Sequence, residues 1–231
     1  MLSRDDIASC VALALPVMVA YVSIGIPCGV MEAQIGFSPL MAFLFSATYY
    51  SGAGQFMVSN LWLAGTPLVT MILSISLVTA RQLLYSTALS PYMEGAPTPK
   101  VLRFGALVTD ETFGVNLSRF AARDGWNVDK ATVVNVACML SWATANLIGA
   151  AVGSVISLPV DVMSFGMTSV FICLLAGQSW TPSAVRVALV TAASVLACKL
   201  MGLGGSSIFL GAVAGVLAGV ALDALLGEEQ R

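Results

Sequence analysis

The sequence predicts an all-α, polytopic membrane protein with about seven or eight transmembrane helices, on three observations. Hydrophobic residues make up 58% of the 231-residue chain. Charged residues make up only 10%, against about a quarter in soluble domains. The charges also cluster, leaving long uncharged runs at 7–31, 33–80, 131–160, 162–185 and 200–222. A membrane-crossing helix takes roughly 20 apolar residues, so each run holds at least one. A soluble fold could not cover this much apolar surface.

The elements follow from turn signals. The first span is expected over about 8–30. Its start, Met1-Leu2-Ser3-Arg4-Asp5-Asp6, lacks the layout of a cleaved signal and reads as the lead-in to a retained helix. Gly36-Phe37-Ser38-Pro39 opens a second span over 39–64, and Gly65-Thr66-Pro67 turns the chain into a third over 67–90. Pro91 to Lys100 holds three prolines and is a loop; Arg119 to Lys130 is another. Further spans are expected over 132–157, 161–179, 183–200 and 205–226. Val101 to Phe120 carries Arg103, Asp110, Glu111, Asn116 and Arg119. It reads as a polar span, a re-entrant segment or an amphipathic surface helix. If it spans, the N-terminus faces the cytoplasm; if it does not, the N-terminus faces outward. The positive-inside rule tolerates both. The turn Gly65-Thr66-Pro67 is matched in placement by Trp180-Thr181-Pro182, a possible internal repeat of the kind found in secondary transporters. Residues 1–231 are read as one transmembrane domain.

Several function classes are disfavoured by composition. A net charge of −2 supplies no basic patch for nucleic acid. The chain has no histidine, so histidine metal sites and Ser-His-Asp catalysis are absent, and no cofactor or enzyme activity is expected. The five cysteines (Cys10, Cys28, Cys138, Cys173, Cys198) form no CxxC pair and read as small buried residues.

Polar groups inside apolar runs mark candidate chemistry. Gly25, Pro27 and Gly29 weaken the backbone of the first span; they read as a helix break at a substrate site, or as a kink with a GxxxG packing face. Gly52, Gly54 and Gln55 form a patch that a ligand or a second backbone can approach, with Gln55 as functional donor and acceptor or as interhelical glue. Thr70, Ser74, Arg81 and Tyr85 share one helical stripe. Arg81 there either pairs with a carboxylate or snorkels to the interface. Asp110 and Glu111 are adjacent carboxylates in a largely apolar setting. They can bind an ammonium, carry a coupling proton, pair with Arg81 or Arg103, or lie solvated on a surface helix. Asp161 reads as a helix N-terminal signal. Gly211, Gly215 and Gly219 present a tandem small-residue face to another helix, in this chain or a partner; Gly149 and Gly153 offer a second.

The run Tyr49-Tyr50-Ser51-Gly52-Ala53-Gly54-Gln55-Phe56, then Arg81-Gln82-Leu83-Leu84-Tyr85, then Thr109-Asp110-Glu111-Thr112-Phe113, resembles the AzlC-type branched-chain amino-acid permeases, with the valine-exporter large subunits of enteric bacteria among them. The resemblance extends from about Pro16 to the C-terminus and includes Asp161 and Gly166. Thr79-Ala80 departs from it, since many members carry an asparagine near the arginine. The resemblance implies a secondary transporter subunit that exports branched-chain or related amino acids across a bacterial inner membrane, with a small hydrophobic AzlD-type partner. The substrate contacts would be Gly52, Gly54, Gln55, Arg81, Asp110 and Glu111. A channel-like pore and a non-transporting assembly subunit are the other readings.

Overall fold

The structure is a computed structural model. It describes residues 2–122, 125–155, 181–202 and scattered helical positions between 165 and 176 and between 210 and 221. The described elements are helical, with no strand among them. They are α1 (Arg4–Gln34), α2 (Pro39–Thr48), α3 (Gly52–Leu63), α4 (Leu68–Thr79), α5 (Arg81–Leu89), α6 (Thr98–Gly105), α7 (Asp110–Ala122), α8 (Val128–Gly153) and α9 (Pro182–Leu200). Among the described residues, three helices are long and apolar enough to cross a membrane: Arg4–Gln34, Leu68–Met93 and Val128–Gly153. The expected spans over 161–179 and 205–226, with Asp161 and Gly166, fall largely outside the described residues.

The chain forms two compact units. One comprises Met1–Asn60 and Val78–Thr168, the other Leu61–Leu77 and Ser169–Arg231. The first unit is built on α1 and α8, which pack side by side in the same direction. Lys130 Nζ meets Asp6 Oδ1 at 2.9 Å at their starts. Ser141 Oγ then donates to Met18 O at 2.9 Å, and farther along Gly25 faces Ala145 and Gly153 faces Val30. Ser3 starts α1 with a capping box closed by Asp6, and Asn127 caps α8 at Lys130 N.

The predicted break at Gly25, Pro27 and Gly29 does not occur: α1 runs unbroken through both of its prolines. These glycines instead let two backbones touch. A Cβ on Gly25 would lie 2.7 Å from Ala145 Cβ, and one on Gly29 or Gly149 would overlap the opposing backbone at Asn146 or Ile26. The packing-face reading is therefore the one the structure supports, with Gly149 and Gly153 as its other half.

The break lies one element later. The segment expected as one helix over 39–64 divides at Tyr49-Tyr50-Ser51 into α2 and α3. Gln55 Nε2 reaches back to Tyr49 O at 2.6 Å, giving the freed carbonyl a donor.

The ambiguous segment after the Pro-rich loop is a helical hairpin. Lys100 Nζ, in the first turn of α6, meets Asp129 Oδ2 at 2.6 Å beside the start of α8. The tip reaches Tyr21, where Thr109 Oγ1 lies 2.6 Å from Tyr21 Oη. Tyr21 is fifteen residues beyond Asp6, about 22 Å along α1. α7 then returns: Asn116 Nδ2 donates to Asn135 Oδ1 at 2.8 Å, and Arg119 stacks over Trp126, next to the start of α8. Both ends of the hairpin therefore lie at the end of the unit where α1 and α8 begin. α5 runs beside α7 toward that same end, with Tyr85 on Phe113 and Tyr92 on Phe120. Of the basic residues, Arg4, Lys100, Arg103, Arg119 and Lys130 gather there.

In the second unit, the face of Gly211, Gly215 and Gly219 is filled by this chain's own α9. A Cβ on each would press on Val195, Thr191 and Val187 in turn. Thr181 caps α9 with Pro182 behind it, as the turn signal predicts.

Candidate functional site

The tip of the α6–α7 hairpin concentrates the charge of the first unit's interior. Thr109 and Thr112 start α7 by exchanging bonds: Thr109 N donates to Thr112 Oγ1 at 2.8 Å and Thr112 N to Thr109 Oγ1 at 3.4 Å. This leaves Asp110 and Glu111 in the first turn, where the helix dipole favours anions. Being adjacent, they project about 100° apart and meet different partners. Asp110 Oδ2 lies 2.8 Å from Arg81 Nη2 on α5, and Asp110 Oδ1 accepts from Tyr85 Oη one turn farther along. Glu111 Oε2 accepts from Tyr21 Oη at 2.6 Å on α1. Glu111 has no ion pair among the described residues.

The arginine–aspartate pair is not sealed. The Arg81 side chain is 30% exposed and that of Asp110 is 19% exposed, so the pair is only partly buried. Arg81 pairs across to α7, as one of its expected readings has it, rather than simply snorkelling.

Gly52, Gly54 and Gln55 form a neighbouring layer rather than part of this cluster. Gln55 is fully buried and its amide is committed. Its oxygen accepts from Trp142 Nε1 at 2.9 Å and Ser46 Oγ at 3.2 Å. A Cβ on Gly52 would lie 3.2 Å from the Trp142 ring, and one on Gly54 would overlap the Tyr49 hydroxyl. Trp142 joins the two layers: its ring meets Tyr21 edge-on with centroids 5.5 Å apart. Gln55 thus holds Trp142, which packs on Tyr21, the donor to Glu111.

Sequence reasoning passed over Tyr21, Trp142 and Glu32. Tyr21 and Trp142 carry no signal apart from being hydrogen-bonding aromatics in apolar runs. Glu32 had one: it is the single charge between the uncharged runs 7–31 and 33–80. It is fully buried. Among the described residues, no group of three or more His, Cys, Asp and Glu side chains is arranged to hold a metal.

A family model described as AzlC protein matches residues 16–156, which include α2, α3, Arg81 and the whole hairpin. The chain belongs to the AzlC family. It is similar to the branched-chain amino acid transport protein AzlC of Bacillus subtilis, at 26% identity over 208 residues, covering 88% of this chain and 79% of that one. It is also similar to the inner membrane protein YgaZ of Escherichia coli, at 27% identity over 143 residues, where the match covers 61% of this chain and 58% of the relative's length. An uncharacterized membrane protein of Archaeoglobus fulgidus is 27% identical over 207 residues, covering 88% of this chain and 90% of its own. No solved structure matches. The family match, the relatives named as membrane proteins and the long apolar helices agree that this AzlC member is an integral membrane protein.

Proposed function

We propose that the chain is the large subunit of a secondary transporter that exports branched-chain or related hydrophobic amino acids across a bacterial inner membrane, driven by an ion gradient. The observation that carries this reading is the Arg81–Asp110 ion pair, with Glu111 beside it, at the tip of a helical hairpin. An amino acid is a zwitterion. Its carboxylate suits the guanidinium fork of Arg81. Its ammonium suits Asp110 and the unpaired charge of Glu111. A zwitterion can therefore replace the internal pair contact for contact, so neither partner is left as an uncompensated charge at membrane depth. The name of the Bacillus relative supports the substrate class.

The hairpin is read as re-entrant, its two ends on one membrane side. The cations gathered at those ends support reading that side, and the N-terminus, as cytoplasmic under the positive-inside rule; this reverses the sequence expectation for a non-spanning segment, because a second element broken into α2 and α3 need not cross. The seven or eight membrane elements expected from the sequence then include a broken second element and this hairpin. A small AzlD-type subunit completes the system. Because the Gly211–Gly219 face is occupied by α9, that subunit docks elsewhere.

The test is valine efflux from cells preloaded with a valine-containing dipeptide, with the chain expressed alone and then with its small hydrophobic partner. Efflux above the empty-vector rate, blocked by collapsing the ion gradient, is expected. Flux that persists without a gradient and saturates poorly would favour a pore. The site reading adds a competition test: valine should compete well, while isobutylamine, which lacks the carboxylate, and 3-methylbutanoate, which lacks the ammonium, should compete poorly.

A further inference from the structure

Glu32 stands apart from the substrate cluster. It lies near the far end of α1, eleven residues beyond Tyr21 and about 16 Å farther along the helix. Its side chain is completely buried, and Oε2 has no hydrogen-bond partner. Oε1 has only the thiol of Cys28, at 3.9 Å. Among the described residues no cation pairs with it. Among the described residues, the helices packed around this part of α1 supply none. α2 and α3 contain no titratable side chain, and α8 carries only Asp129 and Lys130, both at its opposite end, and Cys138. Among the described residues, no titratable side chain other than Cys28 acts on Glu32.

An unpaired carboxylate is not sustained in a dry interior, so Glu32 must carry a cation. A metal cation would need several oxygen ligands. The amide oxygen of Gln55, which shares the Cys28 thiol with Glu32, already accepts from Trp142 and Ser46. A proton satisfies the carboxyl with no further ligand, which suits a side chain whose one hydrogen-bond partner among the described residues is a thiol.

We infer that Glu32 is the residue that binds and releases the coupling proton of this transporter, at a site separate from the Arg81–Asp110–Glu111 cluster. The inference rests on the transport reading above. The step is a simple ionisation: the Glu32 O–H bond breaks, the proton leaves to water, and the carboxylate remains until a proton from the other side restores the acid. Its effect on the fold is local and specific. The Cys28 thiol lies 3.9 Å from both Glu32 Oε1 and Gln55 Oε1. An ionised Glu32 needs donors, and those gathered around the Cys28–Gln55 contact are Cys28 Sγ, Trp142 Nε1, Ser46 Oγ and Gln55 Nε2. The last two now hold the break between α2 and α3 together. Recruiting either one loosens the break, and Gln55 also holds Trp142, which packs on Tyr21 beside Glu111.

The test uses the full-length chain in phospholipid vesicles with its small subunit. Infrared difference spectra across a pH step should show the carbonyl band of a protonated carboxylic acid in wild type. The band should be lost in Glu32→Gln and kept, at a shifted position, in Glu32→Asp. Glu32→Gln should retain exchange of labelled for unlabelled valine at the wild-type rate. Its accumulation under a pH gradient should fall to the level seen without one, with partial rescue in Glu32→Asp. Three results would overturn the inference: gradient-driven accumulation in Glu32→Gln equal to wild type, loss of exchange together with accumulation in folded Glu32→Gln, or a band that survives in it. If wild type exchanges no valine, the transport reading fails instead, while the infrared band still reports on Glu32.

Discussion

Arg81 and Asp110 lie 29 residues apart in sequence and 2.8 Å apart in space, one on α5 and the other at the tip of the α6–α7 hairpin. The pair ties the hairpin to α5 at the depth of Tyr21. Its half-buried setting puts the cost of removing one partner between that of a surface pair and that of a sealed one, about 1–3 kcal/mol. Arg81→Gln and Asp110→Asn should each lower thermal stability, and the double variant should recover part of the loss because no charge is left unpaired. Thermal unfolding followed in detergent reads this directly. Arg81→Lys should not restore transport, since an ammonium cannot reproduce the fork.

Tyr21 donates to Glu111 and stacks edge-on with Trp142, so its hydroxyl orients the carboxylate. Tyr21→Phe removes one hydrogen bond to a charged acceptor, about 1.5–3 kcal/mol. The predicted result is a rise of roughly tenfold or more in the KM for valine efflux. An unchanged KM would show that Glu111 does not depend on this bond.

The glycines divide by what surrounds them. Gly29→Ala forces a methyl into the backbone of α8, an overpacking that costs about 1–3 kcal/mol or more. Gly114 lies mid-helix in α7 with open space where its Cβ would be, so Gly114→Ala should be stabilising, by up to about 1 kcal/mol. Melting temperatures of the two variants should move in opposite directions.

Gly215→Leu should lower membrane abundance to the same degree with and without the small subunit. The side chain would strike Thr191 of this chain rather than a partner. Destabilisation seen only on co-expression would instead place the partner on that face.

The hairpin makes a topological prediction. Cysteines placed singly at Ser3, Lys100 and Ala121 should react with a membrane-impermeant thiol reagent from one and the same side. Labelling of Lys100→Cys and Ala121→Cys from opposite sides would mean that the segment crosses the membrane.

Much of this was legible in the chain because it depends on local chemistry. The turns at Gly65 and Pro182 and the charged strings around Arg81 and Asp110 are visible without a fold. The tertiary readings were not. Pro27 suggested a break, yet α1 continues because close packing on α8 through Gly25 and Gly29 stabilises the helix across the lost hydrogen bond. The actual break at Tyr49-Tyr50-Ser51 contains no proline; Gln55, six residues from Tyr49, closes it through space. Glu32 read as a boundary between apolar runs, and only burial by neighbouring helices makes its solitary charge meaningful. The hairpin could not be separated from a span by periodicity, because only Lys100 on Asp129 and Arg119 on Trp126 show that both its ends return to one place.

The central claim is that Arg81, Asp110 and Glu111 together hold the zwitterion. The most direct measurement is valine efflux from dipeptide-loaded cells carrying Arg81→Gln, Asp110→Asn or Glu111→Gln, each compared with wild type at matched membrane abundance. The predicted result is loss of efflux in all three, with the small subunit present. Wild-type efflux in all three would contradict the site.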